Sequence, residues 1–319
     1  MTIRPTALQG TSGRPAWSPD SSKVALEKER EVVVVDRREQ SVESRIGPEG
    51  AWVTNPSFSP DGSKIAYAAY SRGPGQDLPD WGLYVARADG SEPRQISKNL
   101  GWKPEFSRDG SLIAFTGTGD DERGYHLNVI EGNGGRERTV SPGGTFETDH
   151  SWDPKGQEIV THSAGEDGTH LWVTDTTGAK ARQITFDPEI PVFDMNPHWS
   201  PQGDKIVFER HYWGGGSDLH LVDPYGDETS ELALLPGNQY DPVFSPDGKW
   251  IAFAGETASD PGNIDLYLIR PDGTGLKRLT DAPGQEFRPS WSPDGQALAY
   301  LTRPPGGEDG YGIIEFSAG

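Results

Sequence analysis

Cysteine is absent from the 319-residue sequence, which excludes disulfide bonds, thiolate nucleophiles and zinc-thiolate sites together. No apolar run approaches the roughly 18 residues that a membrane-spanning helix requires, and the opening segment MTIRPTALQG lacks the apolar core of a secretory signal. As given, the sequence therefore predicts a cytoplasmic protein with no membrane span. If a signal segment has been removed, a periplasmic or secreted protein is predicted instead.

Basic residues are few. Lys and Arg total 29 against 49 Asp and Glu, which gives a formal net charge of −20. Such a surface repels phosphate backbones, so a general role in nucleic-acid binding is not expected. A cationic ligand, a basic protein or a bound divalent cation would fit this charge, and solubility through self-repulsion is the simpler explanation.

Turn formers and strand formers are abundant, with 41 Gly, 27 Pro, 10 Trp, 11 Phe and 10 Tyr, so few long helices are expected. Seven similar segments recur, beginning PAWSPDSSKVAL, PSFSPDGSKIAY, PEFSRDGSLIAF, HSWDPKGQEIVT, PHWSPQGDKIVF, PVFSPDGKWIAF and PSWSPDGQALAY. Their shared aromatic residues are 41 to 48 positions apart, at Trp17, Phe58, Phe106, Trp152, Trp199, Phe244 and Trp291. One structural unit is therefore repeated, and we number the copies one to seven.

Each copy reads as a short strand, an SPDG turn, an apolar strand, a variable loop, a third strand, another tight turn and a fourth strand. Four antiparallel strands per copy predict an all-β, seven-bladed β-propeller that forms a single domain over residues 1–319. The seventh copy ends without a fourth strand. We expect residues 4–9 to supply it, closing the ring and removing an exposed sheet edge.

The motif P-x-[WF]-S-P-D-G-x-x-[IL]-A-[FY] resembles the TolB-like propeller repeats of bacteria over essentially the whole chain. Similar repeats occur in propellers attached to prolyl-oligopeptidase-type peptidases, in tricorn-type proteases and in oligogalacturonate lyases. TolB itself has six blades and an extra N-terminal domain, so the resemblance does not imply binding to its partner Pal. No GxSxG motif is present, so this chain alone is not expected to be a peptidase.

Alternating apolar residues in the second strands should fill the blade interiors, with flanking Ala against the next blade. They are Ile65, Tyr67, Ile113, Phe115, Ile206, Phe208, Ile251 and Phe253. The tryptophans of the repeat, Trp17, Trp152, Trp199 and Trp291, should anchor one blade to the next.

Strand direction places the variable loops and the blade-to-blade connections on one face, where a ligand is expected. A polar residue just before each first strand should ring the central funnel: Arg14, Asn55, Lys103, Asp149, Asn196, Asp241 and Arg288. Aromatic residues lie nearby, at Trp52, Trp102, Phe146, Phe193, Tyr240 and Phe287. We predict a ligand site made by Arg14, Asn55, Trp102, Lys103, Asp149, Asn196, Tyr240, Asp241, Phe287 and Arg288. A water-filled channel mouth is the alternative.

Six of the seven histidines lie between positions 150 and 220. His150, His162, His170 and His211 are candidates for a metal site or for catalysis near the variable face, because imidazole with a nearby carboxylate suits manganese, iron or zinc. The resemblance to oligogalacturonate lyases implies a divalent metal and proton abstraction beside a uronate carboxylate. Acidic loops could instead hold calcium through oxygen ligands: GDDE from Gly119, GEDG from Gly165 and Gly307, and SDPGNID from Ser259. Ordinary polar or packing roles for the histidines, and solvated loop tips, are the alternatives.

Two residues break the apolar pattern of the second strand. His162 and Glu209 stand where other copies have Ala68, Thr116, Ala254 and Leu301, and such violations tend to mark function or a compensated pairing.

The sequence favours a binding or interaction propeller that captures a polar small molecule, glycan, peptide or partner protein. The alternative is a metal-dependent carbohydrate lyase or hydrolase. No organic cofactor is predicted, and a divalent metal (calcium, manganese or zinc) is the cofactor that these residues could hold.

Overall fold

The computed structural model describes residues 2–9, 11–48, 50–71, 80–118, 124–143, 146–165, 168–186, 191–233, 235–257 and 260–316. The regular elements in these ranges are 28 β-strands, β1 to β28, so the all-β prediction is confirmed there. None of the described elements is a helix long and apolar enough to span a bilayer. The strands follow the sequence copies, four to each.

The first three units contribute consecutive antiparallel sets of strands. Unit one contains β2 (Thr11–Trp17), β3 (Lys23–Lys28), β4 (Glu31–Asp36) and β5 (Val42–Ile46). Unit two contains β6 (Trp52–Phe58), β7 (Lys64–Ser71), β8 (Asp80–Arg87) and β9 (Arg94–Ser97). Unit three contains β10 (Trp102–Phe106), β11 (Leu112–Thr118), β12 (Tyr125–Glu131) and β13 (Glu137–Thr139).

The next three units repeat this order. Unit four contains β14 (His150–Trp152), β15 (Glu158–Gly165), β16 (Gly168–Asp175) and β17 (Ala181–Gln183). Unit five contains β18 (Val192–Trp199), β19 (Ile206–Tyr212), β20 (Ser217–Val222) and β21 (Thr229–Ala233). Unit six contains β22 (Gln239–Phe244), β23 (Ile251–Thr257), β24 (Asp260–Ile269) and β25 (Lys277–Arg278).

Unit seven combines the two ends of the chain. Its strands are β26 (Gln285–Trp291), β27 (Ala297–Arg303), β28 (Gly310–Glu315) and β1 (Thr2–Gln9). Strand β1 pairs antiparallel with β28, so that Thr2 lies opposite Glu315 and Ile3 lies opposite Ile314. The N-terminal segment thus occupies the place beside β28 that the sequence predicts for a fourth strand.

The 28 strands form five hydrogen-bonded sheets, three of four strands and two of eight. Each eight-stranded sheet consists of two four-stranded sets joined by one parallel bridge. The bridges are Thr169 with Phe193 and Ile264 with Gln285. All other pairings within these sets are antiparallel, as tight turns between successive strands require.

The second strands carry the packing that their alternation predicts. Ile65 and Tyr67 are fully buried against Ala25 and Val32 of unit one, whereas the intervening Ala66 packs with Phe106 and other residues of unit three. The other six predicted interior residues are also fully buried. Large side chains therefore face the preceding unit, and the small alanine receives the aromatic residue of the next.

Tryptophans of the repeat connect neighbouring units, as predicted. Trp17 packs on Ala297 and Ala299 of unit seven, and its indole Nε1 donates to the carbonyl of Ser290 at 2.9 Å. Trp152 makes the equivalent bond to the carbonyl of Glu105 at 3.0 Å. Because each bond satisfies a carbonyl on the first strand of the preceding unit, it fixes the distance between adjacent sheets.

Candidate functional site

First strands from all seven units line a common cavity of about 450 Å³, called the channel here. Arg14, Asn55 and Lys103, three of the seven residues expected to ring a central funnel, lie on its wall. Two positions further along their strands, Ser57 and Glu105 also face it. The channel therefore combines ionisable side chains of both signs with a lining rich in proline and aromatic residues.

Most of the predicted funnel residues lie inside their strands, which corrects the prediction that they precede them. Asp149 alone immediately precedes its strand; the other six belong to β2, β6, β10, β18, β22 and β26. The register shifts at each of these six positions. An extra residue in one strand of a pair is a β-bulge, which re-aims a side chain out of the regular ladder.

The bulges hold five non-glycine residues in the left-handed region, with φ between 49° and 53°: Asn55, Lys103, Asn196, Asp241 and Arg288. In unit one the left-handed residue of the bulge is Gly13. In unit four, β14 pairs with β15 without a register shift, and the left-handed Phe146 lies four residues before β14. This conformation costs an L-residue about 1–2 kcal/mol. Asn55 and Lys103 of this set line the channel, whereas Asn196, Asp241 and Arg288 line a different cavity described below. Strained backbone of this kind is concentrated at functional sites in proteins.

Two ion pairs connect funnel residues of different units. A guanidinium nitrogen of Arg14 lies 3.2 Å from Asp241 Oδ1, and Lys103 Nζ lies 2.6 Å from Asp149 Oδ1. Burial acts to raise the pKa of Asp149, but the positive charge of Lys103, with a smaller contribution from His162, outweighs it and holds that pKa well below its usual range. Asp149 is therefore ionised throughout the physiological range.

A second cavity, of about 270 Å³, opens between units five, six and seven and is called the side pocket here. Five of the ten predicted ligand residues line it: Asn196, Tyr240, Asp241, Phe287 and Arg288. Thus the structure divides the predicted set, with Arg14, Asn55 and Lys103 in the channel and these five in the side pocket. Trp102 and Asp149 line neither cavity.

Glu209 forms the polar base of the side pocket, and its side chain is almost completely buried. Its Oε1 accepts from Asn196 Nδ2 at 2.7 Å and from the backbone N–H of Asp241 at 2.5 Å, while Oε2 lies 2.9 Å from His211 Nε2. Burial raises the pKa of Glu209, and the hydrogen bond from His211 acts in the opposite direction. The buried carboxylate of Glu209 is thus compensated by hydrogen bonds, and a compensated pairing is one of the two explanations that the sequence pattern allows.

Glu27 occupies in unit one the position that Glu209 occupies in unit five, which sequence comparison missed. Its Oε1 accepts the backbone N–H of the left-handed residue Asn55 at 2.6 Å. Gly13 leaves room for this carboxylate, because a Cβ there would collide with Glu27 Oε1. Aligning all seven second strands, rather than only their apolar members, would have revealed the pair. A carboxylate that fixes the next unit's bulge is therefore a repeated structural device.

Arg288 and Arg303 are the cations of the side pocket. Arg303 binds both carboxylate oxygens of Asp309 at 2.8 Å and its guanidinium lies 5.2 Å from the ring centre of Phe287. The backbone N–H of Arg288 donates to Asp241 Oδ2 at 3.1 Å. Arg288 is exposed, and among the described residues its guanidinium has no hydrogen-bond or ion-pair partner.

The four candidate histidines lie in different surroundings. His150 is buried on the channel wall, and His162 Nε2 lies 3.0 Å from the carbonyl oxygen of Phe146. His170 lies on β16, opposite Ser163, whereas His211 borders the side pocket through Glu209. In the described part of the chain, no group of three or more His, Asp or Glu residues is arranged to hold a metal ion. The four-histidine metal site is thus not assembled there.

The calcium candidates fall mostly on residues outside the described ranges. All of GDDE at 119–122, the centre of GEDG at 165–168, and Ser259 of SDPGNID belong there. The second GEDG, at 307–310, is described, and Asp309 within it is engaged by Arg303. Calcium binding by these loops stays a prediction.

Three titratable side chains inside the channel, Glu105, His150 and His198, have pKa values shifted towards their neutral forms. Burial raises the pKa of Glu105 to about 7, against the opposing charges of Lys103 and Arg14. Burial also lowers the pKa of His150 and of His198 to about 3, and the nearby cations add to the effect. At neutral pH both imidazoles are therefore uncharged.

Aromatic rings remain exposed on the rim where the variable loops lie. Trp52 is 42% exposed, and Trp52, Tyr70 and Trp81 form a row across three strands with ring centres 5.7 Å and 4.4 Å apart. Trp102 is 40% exposed and lies 6.2 Å from Tyr125. Rings left half exposed on one rim offer contact area to a ligand or partner.

Repeated four-stranded antiparallel units around a shared channel define a β-propeller domain. Residues 4–187 and 169–313 match the family model described as the TolB beta propeller domain. The chain belongs to this family, as its repeats predict.

Among curated proteins, the chain is similar to "Uncharacterized peptidase YuxL" of Bacillus subtilis, with 30% identity over 206 residues, which is 63% of this chain and 29% of the relative. The matched region thus spans less than a third of that relative's length. It is also similar to "Uncharacterized protein Atu1656" of Agrobacterium fabrum, with 26% identity over 259 residues, or 75% of this chain and 83% of the relative.

Solved structures share the fold at low sequence identity. An oligogalacturonate lyase from Vibrio parahaemolyticus superposes with a TM-score of 0.73 and 13% identity, covering 98% of this chain and 93% of that one. An oligogalacturonate lyase in complex with manganese gives a TM-score of 0.69 and 14% identity, covering 99% and 90%. At this identity the likeness concerns the fold.

Proposed function

We propose that this chain is a binding propeller that captures a polar small molecule, glycan, peptide or partner protein on the face carrying the variable loops. The observation that carries the proposal is the side pocket, where five residues selected from sequence meet around Glu209. Aromatic walls from Tyr240 and Phe287 provide contact area, and a network of fixed polar groups provides orientation.

The proposal includes a ring of seven blades closed by β1. Its support is the pairing of β1 with β28, the packing of Trp17 against unit seven, and the lining of one channel by first strands of every unit. A closed ring keeps the bulges and loops in fixed relative positions, so that a ligand is bound without ordering the scaffold.

The ten tryptophans provide a direct test through their indole N–H signals in a proton–nitrogen correlation spectrum. Trp52, Trp102 and Trp213 lie on the variable rim, whereas Trp250 lines a cavity with the SPDG-type turns on the opposite side. Single Trp→Phe variants assign the signals, and panels of oligosaccharides and peptides are then added. We expect a ligand to shift rim signals and to leave Trp250 unshifted. Shifts confined to Trp250, or none with any panel, would contradict the proposal.

A metal-dependent carbohydrate lyase or hydrolase is the alternative function. Its support is the extent of the fold shared with oligogalacturonate lyases. The described residues offer no converging set of three metal donors, so we assign no step of such a reaction to them. Metal analysis of the purified protein, with acidic polysaccharides assayed for new ultraviolet absorbance from an unsaturated product, tests this alternative. Stoichiometric metal together with turnover would establish it.

A further inference from the structure

We infer that the side pocket recognises a single carboxylate carried on an apolar body, such as the C-terminal residue of a peptide with an apolar side chain or a small apolar acid. The inference rests on the proposed binding function and specifies the chemistry of its ligand. It depends on which polar groups of the pocket already have hydrogen-bond or ion-pair partners within the protein.

The carboxylates of the pocket are engaged within the protein. Asp241 uses Oδ1 for Arg14 and Oδ2 for the backbone N–H of Arg288. Glu209 uses Oε1 for Asn196 and for the backbone N–H of Asp241, and Oε2 for His211. A cationic ligand would have to displace these contacts, although the net charge of the whole chain favours cations. Because the carboxylates of the pocket are already paired, we do not expect a cationic ligand there, although the net charge of the chain would favour one.

The remaining cation is Arg288. Arg303 is neutralised by Asp309 and lies over the Phe287 ring. The Arg288 guanidinium is exposed beside the pocket with no partner among the described residues, on a backbone held at φ 52°. A guanidinium presents paired N–H donors that match the two oxygens of a carboxylate. Arg288 is therefore the group that a ligand's negative charge would meet.

The walls determine the rest of the ligand. Tyr240, Phe287 and Ile264 present rings and an aliphatic side chain, and the cavity of about 270 Å³ has room for one residue-sized group. A sugar acid would bring several hydroxyl groups, but Asn196 Nδ2 and Glu209 are already hydrogen bonded. Hydroxyls left without partners on binding lose affinity. The pocket thus favours an apolar body over a hydroxylated one.

The test uses the full chain and isothermal titration with N-acetyl-phenylalanine, its amide, the tripeptide Gly-Gly-Phe with a free or amidated C-terminus, and glucuronate. We expect the free acids to bind at least about tenfold more tightly than their amides and than glucuronate. Arg288→Gln should weaken the free acids about ten- to hundredfold, and Arg288→Lys, which keeps the charge but not the paired donors, should be intermediate. Arg270→Gln, an exposed arginine over Trp250, is the matched control and should bind as the parent does.

The affinities of the two free acids distinguish a peptide C-terminus from a small apolar acid as the source of the carboxylate. Tighter binding of Gly-Gly-Phe than of N-acetyl-phenylalanine indicates a peptide terminus, and equal binding indicates a free small acid; either result supports the inference. Amides that bind as well as acids, selective binding of glucuronate, unchanged binding by Arg288→Gln, or no binding by any probe would overturn it. If the indole signals of the rim still respond to another ligand, the binding proposal survives this loss; if they do not, both fail.

Discussion

Arg14 and Asp241 form an ion pair with a nitrogen-to-oxygen distance of 3.2 Å, although they belong to the first and sixth units and are 227 positions apart in the chain. Units two to five separate these two units along the sequence, whereas in space unit seven lies between them, because its strand β26 contacts both β2 and β22. Their contact therefore reaches across the mouth of the channel rather than between adjacent sheets. Asp241 also accepts the backbone N–H of Arg288 from unit seven, so one carboxylate joins three units.

The ion pair should contribute a small, measurable coupling to stability. The Arg14 side chain is 32% exposed and that of Asp241 is 17% exposed, so solvent screens much of the attraction. A double-mutant cycle with Arg14→Gln and Asp241→Asn, followed by urea unfolding, should give a coupling energy of about 0.5–1 kcal/mol that falls as salt is added. Strictly additive effects would show that the two side chains do not interact in solution.

Comparing variants of the two equivalent carboxylates, Glu27 and Glu209, should distinguish a structural role from a role in ligand binding. Each accepts the backbone N–H of the next unit's bulge residue, at 2.6 Å and 2.5 Å respectively. Replacing either by Ala leaves that N–H without its acceptor, so each variant should lose about 1–3 kcal/mol in free energy of unfolding. Chemical denaturation measures both.

Binding should distinguish the two variants. Glu209 also holds Asn196 and His211 at the side pocket, whereas Glu27 does not line it. We expect Glu209→Ala to weaken N-acetyl-phenylalanine at least about tenfold and Glu27→Ala to leave its affinity unchanged, as titration calorimetry would show. Equal affinities in the two variants would mean that Glu209 serves the bulge alone.

The strands and their packing could be predicted because the same pattern of residues occurs in all seven copies of the repeat. Alternation identified Ile65 and Tyr67 as interior residues, and both are fully buried. Recurrence identified Trp17 and Trp152 as contacts between units, and both donate to the preceding unit's backbone. These features depend on residue type and spacing alone, which a sequence contains directly.

The details of the site depend on backbone conformation and on side-chain partners, which the spacing does not encode. Nothing in the residue type of Lys103 or Arg288 predicts a positive φ, because the bulge that imposes it arises from pairing with the second strand. The histidines are close in sequence but lie on different strands and in different surroundings, with His150 in the channel and His211 beside Glu209. Proximity along the chain therefore does not bring the four histidines together into one metal-binding cluster among the described residues.

Stability should depend on pH through Glu286, which is buried between units six and seven. Burial raises the pKa of Glu286 to about 7, and the neighbouring carboxylate of Asp265 adds to this effect. The folded protein thus holds the proton more tightly than the unfolded chain, whose carboxyl titrates near 4.5. At any pH between these two pKa values, unfolding releases a proton from this carboxyl group. The free energy of unfolding should therefore fall progressively as pH rises from about 4.5 to about 7.

Replacing Glu286 by Gln removes that penalty while keeping the shape of the side chain. The free energy of unfolding of the variant minus that of the parent should be larger at pH 8 than at pH 4.5. Thermal or urea unfolding at intermediate pH values should show this difference growing across the interval. Glu308→Gln, at an exposed position of the same unit, is the control and should show no such trend. A stability difference that is the same at both pH values would mean that Glu286 has no raised pKa in the folded state.

Strand β1 should be required to complete unit seven. Deleting residues 1–10 removes the partner of β28, whose Ile313 and Ile314 are buried, and exposes an unpaired sheet edge. We expect the melting temperature to fall by about 5–10 °C, corresponding to a loss of a few kcal/mol, with self-association visible by size-exclusion chromatography. A synthetic peptide of residues 1–10 should bind the truncated protein and restore the melting temperature by adding the missing strand, whereas a scrambled peptide should not. An unchanged melting temperature after truncation, or equal rescue by both peptides, would show that β1 does not hold the last unit in place.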